Sequence, residues 1–193
     1  MPNPVFNTGH PATRLSGSGQ PVQIISDTKW CSRTIAIGVA PVATDFFNAA
    51  AVADRTVDNF DAPNQLVTSG KRFMIQAISV NVTSTSIADV NAFIQQGVLV
   101  LTCQGKEIGA FRLRNLNAGG GTFVAGAQVA AASSVGVTNG VPSSDVFRIS
   151  DLLIETNQTF RATLLMPAIA PYTCIAATTV EVDLQGYEIR PAA

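Results

Sequence analysis

The sequence predicts an all-β fold, an antiparallel sandwich with one short helix and an extended N-terminal arm. Three observations carry this reading. Short apolar runs with period-two alternation recur from residue 71 to the C-terminus. Turn-forming Gly, Asn and Ser residues separate them. No long helical pattern stands between them, whereas a parallel sheet requires crossover helices.

The elements follow in order. Residues 1–21 hold Pro2, Pro4, Pro11 and Pro21 with Gly9, Gly17 and Gly19, so this stretch resists regular structure and reads as an arm. Two short β-prone runs, VQIIS and RTIAIGVA, extend it to residue 40. A single domain then spans 41–193. Residues 44–57 predict the one helix: Thr44 and Asp45 can cap it, and Phe46, Phe47, Ala50 and Val57 can share a face. In the segment 71–83, alternation places Met74, Ile78, Val80 and Val82 on one face and Phe73, Ile75 and Ala77 on the other.

Residues 97–103 (GVLVLTC) read as a buried strand, joined through QGKE at 104–107 to a second strand at 108–116. The small-residue stretch 117–144 is long for a connection, and holds either a weak strand at 123–129 or a surface loop. Residues 146–155 and 159–166 predict a second hairpin around TNQ at 156–158. In the final strand, 178–191, Val180, Val182 and Leu184 face the core while Glu181, Asp183 and Gln185 face out. Seven to eight strands result, a number that suits an eight-stranded jelly roll of two four-stranded sheets.

Composition narrows the function. The 193 residues include 12 Lys and Arg and 13 Asp and Glu, a net charge of −1. Charged residues make up 13% against roughly a quarter in typical domains, and 47% are hydrophobic. Disorder throughout, a long coiled coil and a free-standing nucleic-acid binder are excluded by that balance. Residues 1–40 carry only Arg14, Asp27, Lys29 and Arg33, and no charge occurs from Asn117 to Ser144. Such bare tracts suit burial against other subunits.

Catalytic patterns do not emerge. The only histidine, His10, lies in the arm between Gly9 and Pro11, a poor place for a base. Three scattered cysteines, Cys31, Cys103 and Cys174, imply neither a disulfide framework nor a zinc site. No phosphate-loop pattern is present, and Gly119–Gly121 leads into no helix. Asp54, Asp58 and Asp61 lack the spacing of a calcium loop and read as solvated or helix-end residues. Sugar-binding aromatics are few: Trp30 is the only tryptophan, and Tyr172 and Tyr187 the only tyrosines. The expectation is a protein that is not an enzyme, with no cofactor, no metal and no small-molecule substrate. No signal peptide and no apolar stretch of membrane-spanning length is seen, so a soluble protein made in a cytoplasm is expected.

Four segments resemble bacteriophage virion proteins of jelly-roll type: TDFFN at 44–48, NFDAPNQLVTSGKRFMIQAISV at 59–80, DLLIETNQTFRATLLMP at 151–167 and VEVDLQGYEIRP at 180–191. The likeness lies in strand entries, an Asn-Gln-x-Phe hairpin and a terminal Gly-Tyr-x-x-Arg-Pro. It covers residues 44–191 and leaves out the arm and the 117–144 insert. It implies a capsid shell subunit of an icosahedral phage, or a cement protein that decorates such a shell, located in the virion. Expected partners are copies of the chain, with trimers among the arrangements, and other capsid proteins, without direct contact to nucleic acid. Candidate interface residues are Arg14 and Trp30 in the first bare tract, Phe123 in the second, and Arg112 and Arg114 on a strand, since arginine is favoured at protein interfaces. A carbohydrate- or receptor-binding sandwich module is the alternative.

Overall fold

The computed structural model describes residues 13–15, 21–48, 58–116 and 147–191. They form ten strands and two helices: β1 (Thr13–Leu15), β2 (Pro21–Ile35), β3 (Ala43–Phe46), β4 (Asp58–Asn59), β5 (Arg72–Ser84), α1 (Ile87–Gln96), β6 (Val98–Cys103), β7 (Lys106–Arg112), α2 (Leu113–Leu116), β8 (Phe147–Ile154), β9 (Phe160–Leu165) and β10 (Thr178–Pro191). One sheet runs β1-β2-β10-β5-β8 with β4 added beside β2, and the other runs β3-β9-β6-β7. Every pairing is antiparallel. The described residues are thus mostly β, in two antiparallel sheets. Among the described residues the strands exceed the expected seven to eight through the short β1 and β4, and β2 takes in the first β-prone run and only the first three residues of the second, leaving 36–40 in a connection.

The core lies between the sheets. Phe73, Ile75, Ile78, Val182 and Leu184 of the larger sheet meet Phe46, Leu99, Phe160 and Leu164 of the smaller one, all fully buried. The final strand behaves as its alternation predicts, with Val180, Val182 and Leu184 inside. Strand β5 does not keep one phase. Its pairing with β10 slips at Gln76, where Ile75 and Ala77 face the consecutive residues Gly186 and Gln185. This bulge lets Phe73 and Ile75 before it, and Ile78, Val80 and Val82 after it, all point inward. Met74, expected beside Ile78, is therefore turned to the other face. The bulge also presses the two strands together, because a Cβ at Gly186 would run into the Met74 carbonyl.

Two further expectations are corrected. Thr44–Phe46, predicted as the start of a helix, lie in β3, paired with Ala162–Leu164 of β9. Asp45, a candidate cap, instead accepts a 2.6 Å hydrogen bond from Thr163 Oγ1 across the strands. Phe47, at φ 62°, then turns the chain so that Phe46 and Phe47 both enter the core, where Phe47 meets Phe60 and Phe160 edge to face. Residues 49–57 of that predicted helix lie outside the described residues. The 146–155 and 159–166 segments are not a hairpin. β8 pairs with β5 in one sheet, while β9 is central in the other, between β3 and β6. The turn between them crosses the sandwich and is tied to other loops, through Asn157 N to Val67 O and Phe160 N to Asn64 O. The 97–116 hairpin, by contrast, forms as β6 and β7, except that Leu113–Leu116, predicted as strand, form helix α2 and so place Arg114 on a helix.

Helix α1 was not expected. Ser86 caps it, accepting from the Asp89 amide at 3.2 Å, and Val90, Phe93 and Ile94 bury its inner face. It packs on β5 and, through Leu113 N to Gly97 O, meets the start of α2. The predicted strand at 123–129 lies outside the described residues.

Candidate interaction surface

The strand registers fix which connections share an end. Ile35, Ser84 and Thr178 are aligned neighbours, so β2 and β5 end where β10 begins. Leu165 pairs with both Ala43 and Val98, and Val98 pairs with Arg112. One end of the sandwich therefore carries residues 36–42, helix α1, the start of the β7–β8 connection, and residues 166–177. The opposite end carries, among the described residues, 47–48 and 60–71, the Gln104–Gly105 turn and residues 155–159.

The first end is apolar. Residues 36–42 and 166–177 contain no charged side chain. Exposed on them are Ile37 (68%), Val39, Val42, Ile169 (101%) and Ile175 (60%). These connections are not loose. Gly38 N donates to Cys174 O at 2.8 Å, Cys174 N to Val39 O at 2.9 Å, and Met166 N to Val42 O at 2.9 Å. Beneath them, Asp89 of α1 is fully buried. Its carboxylate accepts from Tyr172 Oη at 2.6 Å, Ile175 N at 2.9 Å, Ala176 N at 2.8 Å, Thr178 Oγ1 at 3.2 Å and Ser84 Oγ at 3.3 Å. Burial alone would raise the Asp89 pKa, but the hydrogen bonds from Ile175, Tyr172, Ala176 and Thr178 outweigh it and hold the carboxyl below its usual range. Burial and the same carboxylate push the Tyr172 phenol up to about 12.

The opposite end is charged. Lys29 of β2 is 4% exposed and lies 3.0 Å from Asp27, 3.2 Å from Glu188 and 3.7 Å from Asp61. Lys71 joins Asp61 at 3.0 Å. The Lys29 ammonium also stands 5.9 Å from the centre of the Phe73 ring. Burial pushes Lys29 down, yet the hydrogen bond to Asp27 and the charges of Asp27, Glu188 and Asp61 more than reverse it, leaving a raised pKa. Asp61 goes the other way, lowered because its hydrogen bonds to Lys71 and Thr68 and the nearby lysine charges overcome burial. Asp58, read from sequence as solvated or at a helix end, is buried and paired with Arg33 at 2.9 Å. Among the described residues no cluster of three or more metal-ligating side chains occurs.

A third feature lies on the outer face of the larger sheet. Asp183 of β10 sits between Trp30 of β2 and Ser79 of β5, with Glu181 two residues away on the same face. Burial and the Glu181 charge push Asp183 up to about 6, against the opposing hydrogen bond from Ser79 Oγ at 3.2 Å. Glu181 accepts from Ser32 Oγ at 2.7 Å.

The candidate interface residues do not form one surface. Arg112 and Arg114 are exposed at the margin of the apolar end, on β7 and α2. Trp30 is half-buried on the outer face of the larger sheet. Arg14 belongs to the edge strand β1, opposite Val22. Phe123 lies outside the described residues. The isoleucines of 36–42 and 166–177 were not singled out from sequence, although the absence of charge in both stretches was visible. No helix among the described residues is long and apolar enough to cross a membrane. Comparison with protein-family models, curated proteins and solved structures finds no match to this chain.

Proposed function

We propose that this chain is a structural virion protein of an icosahedral bacteriophage, a jelly-roll subunit that forms or cements the capsid shell. The strand order supports the fold part of this reading. Setting aside the short β1 and β4, eight strands remain, and in chain order they alternate sheets at every connection except β6–β7. The first of them, β2, pairs with the last, β10, and β3 pairs with β9, the arrangement of a strand ribbon wound into two facing sheets. In this reading the protein works through subunit contacts in the virion rather than through catalysis or a cofactor.

One observation carries the functional part: the connections 36–42 and 166–177 carry no charge, and their apolar side chains stand in solvent on a hydrogen-bonded surface. Isolated exposed apolar residues are ordinary, but a grouped set on an ordered surface marks a contact site. Electron microscopy and sedimentation of the purified full chain, alone and mixed with phage shells, test the proposal. Shells, regular capsomers or stoichiometric decoration are expected. A monomer at high concentration with no affinity for any shell contradicts it.

A further inference from the structure

Resting on that reading, we propose that the outer face of the larger sheet is a seat for arginine side chains, filled by Arg112 and Arg114 of a second copy of the chain. The seat is built on β10, where Trp30 and Ser32 of β2 and Ser79 and Asn81 of β5 flank Asp183 and Glu181. Hydrogen-bond acceptors are left over there. Asp183 and Glu181 are half-buried, each accepts from one serine hydroxyl, and neither has an ion pair among the described residues. A carboxylate has room for about four hydrogen bonds. Asn81, the cross-strand neighbour of Glu181, holds a buried Oδ1 with no hydrogen-bond partner. Burial and the Glu181 charge push Asp183 up to about 6, which marks a carboxylate without a counter-charge. Trp30 is the cross-strand neighbour of Asp183 on the same face. A guanidinium answers each of these features: it only donates, it forks onto carboxylates, and it stacks on tryptophan.

The chain itself carries the matching cations. Arg33, Arg72 and Arg161 have carboxylates of their own at 2.9, 4.0 and 3.4 Å, and Arg190 is half-buried. Arg112 and Arg114 are exposed and have no ion pair among the described residues. Two arginines two positions apart thus stand against two carboxylates two positions apart, and a contact between them closes without net charge. The two sets lie on different layers. The arginines end and follow β7, the edge strand of the smaller sheet, while the seat is the outer face of the larger sheet, with the core between them. Complementary sets on two surfaces of one chain make a head-to-tail contact, in which each copy gives its arginines to one neighbour and receives those of another. That is why Trp30 and the two arginines do not share a surface.

The test uses the full chain with two pairs of substitutions, a seat variant (Glu181→Gln with Asp183→Asn) and an arginine variant (Arg112→Gln with Arg114→Gln). Lys106→Gln is the control, since Lys106 is also exposed and without an ion pair among the described residues but lies at the opposite end. Circular dichroism and thermal unfolding establish that each variant folds, and the seat variant should unfold no earlier than the parent. Sedimentation velocity then reads the concentration at which half the protein is assembled. The seat and arginine variants should each raise it by about tenfold or more, with Lys106→Gln unchanged. Mixed one to one, the two variants should form pairs and nothing larger, because one intact seat and one intact arginine set remain between them. Folded variants that assemble like the parent, or a mixture without pairs, overturn the inference while the proposed function stands. A seat variant that weakens assembly when the arginine variant does not also overturns it, by giving the seat to another cation. A parent that attaches to phage shells only as separated monomers does the same. A parent that neither associates nor binds shells overturns both.

Discussion

At one end of the sandwich, a buried lysine draws three carboxylates together from β2, β10 and the segment before β5. At the other, a buried carboxylate, Asp89, gathers five hydrogen-bond donors and no ion pair among the described residues. Both arrangements tie connections onto strands. They differ in what they leave at the surface. Ion pairing at the first end closes connections with charged side chains that are themselves largely buried. Hydrogen bonding from backbone amides at the second needs no charged partner, so the residues above it are free to be isoleucine, valine, proline and alanine. The contrast shows how a domain with few charges can close one end with ion pairs and leave apolar side chains exposed at the other.

The largest effect is expected from breaking the charged end. Lys29→Met leaves Asp27, Asp61 and Glu188 facing one another with only Lys71 for company, and should cost about 4 kcal/mol of folding stability in urea titrations. Assembly of the molecules that remain folded should be unchanged, because the contact lies elsewhere. Asp89→Asn acts on the other end. An amide keeps one acceptor oxygen but sets its NH2 against the donors of the other, either Ile175 and Tyr172 or Ala176 and its neighbours, and removes charge-assisted bonds, so a loss of about 3 kcal/mol is expected. Here assembly should weaken as well, since residues 172–178 lose the group that shapes them. A variant that loses stability without any loss of assembly would separate Asp89 from the contact surface.

The smallest expected effect has the opposite sign. Asp183 has its folded pKa raised to about 6 from 3.8, so the fold favours its protonated form. Its contribution to stability is therefore greatest below the unfolded value and declines as pH rises from about 4 to about 6. Asp61 and Asp89, with lowered values, contribute above the unfolded pKa and lose that contribution as pH falls below it. Asp183→Asn should thus stabilise the protein by about 1 kcal/mol at neutral pH, after allowance for solvent screening, and by nothing near pH 3. Thermal unfolding across that range checks both the sign and the window.

Several elements were legible in the sequence for physical reasons that the structure makes plain. β10 alternates from Thr178 to Leu184, before its bulge, because one face packs on the core and the other is polar. The β6–β7 hairpin was readable because Gln104 and Gly105 take left-handed conformations, at φ 52° and 73°, and glycine advertises such a turn. The β8–β9 connection imitated a hairpin through its short turn at Asn157, also left-handed, yet nothing local says that its two strands enter different sheets. Helix α1 did leave a signal, Ser86 three residues before Asp89 and then Val90, Phe93 and Ile94, obscured by the strand-like run before it. The phase change at Gln76 and the Lys29 network were hidden for another reason. Each depends on residues more than a hundred positions apart, Gly186 against Met74 and Lys29 against Glu188, which only the closed sandwich brings together. The apolar end was half legible: the shortage of charge was evident, but it pointed to 1–40 and 117–144 and passed over 166–177.

The most direct measurement is a reconstruction by cryo-electron microscopy of whatever the full chain builds, alone or on a phage shell, at a resolution that traces the strands. The expected result is that residues 36–42 and 166–177 lie in contact with a neighbouring subunit, with Ile169 covered, while Asp27, Lys29, Asp61 and Glu188 form no contact between copies. Copies joined through the charged end, with Ile37, Ile169 and Ile175 still facing solvent, would contradict it.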